Sequence, residues 1–148
     1  MKPIWIAAGL LALATTATLA HQDVQNPAVL ARMENMSAMA DHVEVLGNMA
    51  RGLAPFDAAA ANSALDGIAA QANRTIDLFE DPATDPLSEA RAGIWDNFAN
   101  FSSRATGMEL LAMELAGTVE DRGSLGEALR RVGSACSGCH EDYRLNLD

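Results

Sequence analysis

The stretch SLGEALRRVGSACSGCHEDYR, residues 124–144, decides both the fold and the chemistry of this chain. Its core-type positions are Leu125, Leu129, Val132, Cys136, Cys139 and Tyr143, separated by steps of four and three. That is the period of one helix face. Inside it, Cys136-Ser137-Gly138-Cys139-His140 holds the only two cysteines of the sequence. C-x-x-C-H is the attachment pattern of a c-type haem: two thiols become thioethers and the histidine supplies an axial nitrogen. At about 100° per residue, Cys136 and Cys139 lie roughly 60° apart on a helix, with His140 about 40° from Cys136 and one turn further on. All three can face one flat macrocycle. Gly138 puts no side chain in the way, and Ser137 can point outward. Because the cysteines fall on the core-facing stripe, the ring is expected against the interior of a helical domain.

Three other readings compete with haem c (one, covalently attached). A redox dithiol wants a βαβ context, and no such pattern is found. A structural zinc site needs about four ligands, and only His21 and His42 remain as further imidazoles, both distant in sequence. A plain disulfide is the third. The haem reading is preferred.

The N-terminus reads as a secretory signal peptide over residues 1–20. Met1-Lys2 is a short positive region, Ile4 to Leu13 is an apolar run of ten, and Thr18-Leu19-Ala20 places small residues before a cleavage site. The run is too short for a membrane span, which needs about 20 apolar residues. Cleavage after Ala20 is expected, an uncleaved anchor being the alternative, and leaves residues 21–148 as one domain. The expected location is the periplasm, without membrane insertion. Lys2, the only lysine, departs with the signal. Nine arginines then face twenty acidic residues, a formal charge of −11. Nucleic acid is an unsuitable ligand for so acidic a chain. Redox partner proteins with basic docking surfaces suit it, although net charge alone also serves solubility.

Four amphipathic stretches account for the rest. The first helix is expected from Asn26-Pro27, a cap and a first-turn proline, with the stripe Met33, Met36, Ala40, Val43, Gly47, Ala50 and a stop at Arg51-Gly52. The second follows the cap Asp57, with Phe56 folding onto Ala61 and the stripe Ala61, Leu65, Ile68, Ala72, Ile76, Phe79. Residues 80–87, with Pro82 and Pro86, read as a loop. The third is expected from Ser88, with Ile94, Phe98, Phe101, Ala105, Met108, Ala112, Leu115 and Val119 in its stripe and Trp95 on the flank. The fourth opens on Ser124 and Glu127 as a capping box. No strand pattern is found. These features predict an all-α, antiparallel up-down-up-down four-helix bundle.

A haem motif on the last helix of such a bundle resembles the class II cytochromes c, the cytochrome c′ family with its low-spin six-coordinate relatives. The likeness spans the mature chain: Arg32 with Met36, Gly52, Pro55-Phe56-Asp57-Ala58-Ala59, Phe79, Ile94-Trp95, Phe98, Phe101, and residues 136–144. It implies Cys136 and Cys139 as thioether cysteines and His140 as proximal iron ligand. It implies Arg144 packed near the proximal side, Arg32 near the haem propionates, and Met36 facing the distal side of the iron. Trp95 and Phe101 are core residues that can also touch the haem edge. The mature chain lacks the lysines many relatives carry, so their docking surfaces do not transfer. A homodimer through the first two helices is compatible with the Ala58 to Ala61 run.

Function turns on the sixth iron position. If Met36 (or Met33, on the same stripe) ligates, the site is closed and suits a periplasmic one-electron transfer carrier. If Met36 only packs over the ring, five-coordinate iron can bind nitric oxide or other small gases. Met39 lies off the stripe, and His42 is expected at the surface. A peroxidase would want a distal acid–base residue where this stripe offers methionine, alanine and valine, so no enzyme is expected.

Overall fold

The computed structural model describes residues 23–145. The expected signal segment and His21 lie outside them. Among the described residues there are five helices and no strand: α1 (Pro27–Ala50), α2 (Ala58–Leu78), α3 (Gly93–Asp96), α4 (Phe98–Leu115) and α5 (Arg122–Tyr143). The four long helices form the antiparallel bundle, α2 packing on α1 and α4, and α5 on α4 and α1. None is long and apolar enough to cross a membrane.

The caps follow the sequence at both ends of the first hairpin. The Asn26 side chain accepts from the Ala28 N–H at 2.9 Å, with Pro27 in the first turn. Gly52 adopts a φ of 74°, which reverses the chain after α1. Asp57 then accepts from the Ala60 N–H at 3.0 Å to start α2.

Three boundaries differ from expectation. The third helix does not begin at Ser88. Residues 88–92 are held instead by the end of α5: the Arg91 N–H donates to Tyr143 O (2.9 Å) and the Leu145 N–H to Glu89 O (2.7 Å). After the single turn of α3, Asn97 leaves helical geometry and its side chain caps α4. That helix ends at Leu115 rather than Val119. The Asn62 side chain accepts from the Gly117 and Val119 N–H groups and donates to Val119 O, so the turn competes successfully with another helical turn. The capping box of α5 also moves one turn back. Asp121 is the cap and Ser124 its reciprocal partner, while Glu127 pairs with Arg130 at 2.6 Å.

The first-helix stripe is rotated from the expected one. Val29, Arg32, Asn35, Leu46, Gly47 and Met49 are buried, and Ala40 and Ala50 are exposed. The helix has two working faces. One packs on its neighbours. The other, bearing Met33, Met36, Ala40 and Val43, borders a cavity. Apolar periodicity alone picked the cavity face. His42 is half-buried rather than at the open surface, its imidazole lying over Gly67 of α2 where a side chain would collide with it.

Leu46, Leu65, Ile68, Leu125 and Val132 are fully buried and fill one part of the bundle. Phe79, Ile94 and Phe101 form a second, aromatic cluster with Met36, Trp95, Phe98 and Tyr143 against it. The loop before α3 is tied to the start of α1 by Asp85. Its carboxylate accepts from the N–H groups of Gln25 (2.9 Å), Asn26 (3.0 Å) and Leu87 (2.9 Å). These bonds, that from Leu87 foremost, lower its pKa below the ordinary 3.8. A lowered carboxyl pKa adds stability that is present above the unfolded value and lost as pH falls through the folded one. Acid unfolding followed by circular dichroism should therefore show a loss of stability beginning below pH 3.8 that is reduced in Asp85→Asn.

Candidate functional site

A cavity of about 570 Å³ opens between α1, α2, α4 and α5, where the two hydrophobic clusters meet. Its size suits a prosthetic group, since small-molecule and cofactor sites run from about 300 to 1,000 Å³. One wall carries Cys136, Cys139 and His140 of α5. The α1 wall carries Met33, Met36, Met39, Ala40 and Val43. Phe79, Ile94, Phe101, Tyr143 and Met108 complete an apolar lining. Phe101 takes Phe79 at 4.9 Å between ring centroids and Tyr143 edge-on at 5.3 Å. Trp95 stands one layer back and is not part of the lining. It donates from Nε1 to Phe79 O at 2.8 Å and so fixes the strand of chain that presents Phe79.

Both cysteines are half-buried, side by side on the inner face, and are not joined to each other. Burial pushes both thiols above their ordinary pKa, with Arg104 opposing the rise at Cys139. The His140 imidazole sits at the rim. Desolvation by its surroundings, then the Arg144 charge, lowers its pKa, with Glu89 acting the other way. A lowered pKa favours the neutral ring, the form that gives a nitrogen lone pair to a metal. Among the described residues no cluster of three or more His, Cys, Asp or Glu could hold a metal ion, so a zinc site lacks its ligand set. Two sulfurs and one imidazole beside an apolar slot are instead the donor set for a thioether-linked haem.

Arg32 is the most buried charge at the site, about 3% exposed. Nε donates to Leu78 O and Nη1 to Ala83 O, each at 2.8 Å, and Nη2 donates to Asp81 O. Its guanidinium also lies 4.8 Å from the Phe79 ring centroid and 5.2 Å from that of Trp95. Burial lowers its pKa. Three of five N–H donors are thus committed to the end of α2 and the loop after it, and Arg32 still lines the cavity.

Two residues of the site escaped sequence reasoning. Arg104 of α4 pairs with Asp142 at 2.9 Å and reaches Gly138 O at 3.4 Å, clamping the cysteine segment from outside. Glu89 pairs with Arg144 at 2.6 Å. The only signal for either was a charge of the right sign in a distant segment.

Fold and donor set together define a helical-bundle protein built to carry a covalently attached haem. The sequence profile of the family described as Cytochrome C′ matches residues 27–144, and the chain belongs to that family. Its members bind a single haem c through covalent bonds. Cytochrome c-554 of Cereibacter sphaeroides is 34% identical over 154 aligned positions, covering 97% of this chain and 98% of its own. Among solved structures, cytochrome c′ of Rhodopseudomonas palustris superposes with a TM-score of 0.77 at 26% identity, covering 84% of this chain and 100% of its own. The structural model of oxidized cytochrome c556 from the same organism gives 0.76 at 26% identity, with 84% and 100% covered.

Replacing Arg32 by leucine should cost about 3 kcal/mol of stability in urea unfolding, because loop carbonyls lose a buried donor. Lysine should recover little of it, since one ammonium cannot make the planar set of bonds and stack on two rings.

Proposed function

We propose that this chain is an exported one-electron transfer carrier, made as a signal peptide over residues 1–20 and a cytochrome domain over 21–148. In this reading Cys136 and Cys139 hold the haem through thioether bonds and His140 is the proximal iron ligand. When bound, the haem supplies a ferric–ferrous couple that stores one electron.

The chain's own residues have four tasks. The α5 backbone sets two sulfurs and one imidazole on adjoining faces. The apolar lining, Phe101 included, excludes water from the slot. Arg32 keeps two N–H donors beyond its backbone carbonyls, and these suit the haem propionates; Arg144, paired with Glu89, lies on the proximal side. Trp95 contributes from behind by steadying Phe79.

The observation that carries the carrier reading is the thioether-rich α1 wall. Met36 lies between Met33 and Met39 on the cavity side, and a methionine as sixth ligand raises the potential and closes the site. Partners of opposite charge follow from the acidic surface, so redox proteins with basic faces are the expected donors and acceptors. The periplasm is the matching compartment. A homodimer through α1 and α2 is part of this reading; Val45 in α1 and Leu53 just after it are exposed apolar residues.

One feature favours a second reading, capture of nitric oxide at five-coordinate iron. Ala40, one helical turn after Met36 on the same wall, is small and exposed.

The ferric spectrum separates the two. Low-spin iron with a sulfur-to-iron charge-transfer band is expected, and Met36→Leu should convert it to high-spin iron that takes up nitric oxide. A low-spin spectrum unchanged in Met36→Leu removes Met36 from the coordination and turns attention to Met33.

A further inference from the structure

The cavity rim on the His140 side is bordered by a segment from elsewhere in the chain. Main-chain bonds from Arg91 to Tyr143 O and from Leu145 to Glu89 O lash residues 89–91 to the end of α5, and Ala90 bridges to Arg144. None of these bonds uses the Glu89 side chain. They deliver its carboxylate to the rim, where it accepts from Arg144 Nε at 2.6 Å. Arg144 follows His140 by one helical turn. Glu89, His140 and Arg144 all border the same cavity. Among the described residues, Glu89 is the one carboxylate within ion-pair distance of Arg144.

We propose that Glu89 is a positioning residue for the proximal side: by pairing with Arg144 it holds that cation in place and cancels its charge one turn from His140, keeping the reduction potential of the iron lower than Arg144 alone would. The inference rests on His140 being the proximal ligand. A net positive charge near the iron disfavours the ferric state, which carries one more positive charge than the ferrous, and so raises the potential. A net negative charge lowers it. The intact pair presents a small dipole and does little of either.

The test measures midpoint potentials of the haem-loaded wild type, Glu89→Gln, Arg144→Gln and the double variant. Glu89→Gln should shift the potential up and Arg144→Gln down, with the double variant back near wild type. At a solvent-screened rim each single shift should be about threefold in the ferric–ferrous equilibrium constant, about 28 mV at 59 mV per tenfold for one electron. Both shifts should shrink as salt is raised. Loosening of the fold would instead move both single variants the same way, with the double variant further out. That pattern, or no shift in either, overturns the proposal. A readout independent of electrochemistry is the Arg144 Nε proton, whose slow exchange in NMR spectra should be lost in Glu89→Gln; equal exchange in both proteins counts against the pairing. A pyridine haemochrome assay and the spectrum of His140→Gly separate this from the parent reading. Without covalent haem, or with an unchanged proximal ligand in His140→Gly, both readings fall. With haem c and His140 ligation established, a missing sign reversal removes the Glu89 role alone.

Discussion

One helical stripe has to satisfy two different neighbours, and the rest of the molecule is arranged around that. In α5 the positions Leu125 and Val132 close the aliphatic core, and the same face continues through Cys136 and Cys139 into the cavity. The backbone does not change between these duties; only the side chains do. Core packing therefore fixes the rotation of the helix about its axis, and that rotation sets where two sulfurs and an imidazole point. A site built on a rigid element inherits the precision of the core. The capping box at Asp121 and Ser124 and the Arg104 clamp on Gly138 and Asp142 restrain the two ends of this helix.

Arg32 solves a related problem on the other side of the cavity. A buried guanidinium without a carboxylate in ion-pair contact is costly unless its donors are used. Here three donors meet backbone carbonyls of residues 78–83, and two aromatic rings flank the plane. The arrangement converts a loop with two prolines into a fixed wall. It also ties α1 to the segment that carries Phe79, so the methionine face and the aromatic face of the cavity hold a set relation. The resemblance implies a place for this arginine near the haem propionates. The structure adds a mechanical duty that shares the same side chain.

Much of this was legible in the sequence, and the limits are physical. The long helices, the caps Asn26 and Asp57, the Gly52 reversal and the haem-motif face all rest on local chemistry, which a linear sequence displays. The errors came where a distant segment outcompeted a local signal. Ser88 looked like a helix start, but its neighbours donate to and accept from the end of α5. Val119 kept the helical period, yet Asn62 of α2 captures the turn before it. The α1 stripe was the most instructive. Apolar residues mark any surface that avoids water, and a cofactor slot and a protein core leave the same pattern. Arg32 and Asn35 disclosed the true packing face only once their partners in α2 and its loop were in view.

The two sides of the cavity differ in kind. Methionine, alanine and valine line the α1 wall, where no charged group other than Arg32 contributes. The opposite rim holds Arg104 with Asp142 and Arg144 with Glu89. Each cation there is matched by a carboxylate from a different element, so the pairs leave little net charge at the rim. For a protein as acidic as this one, that matters. A long-range negative surface field steers partners in solution but is screened within about 10 Å at ordinary salt. Charges beside the imidazole act at shorter range. Balancing them locally lets the outer surface be strongly acidic without dictating the energetics of the site it surrounds.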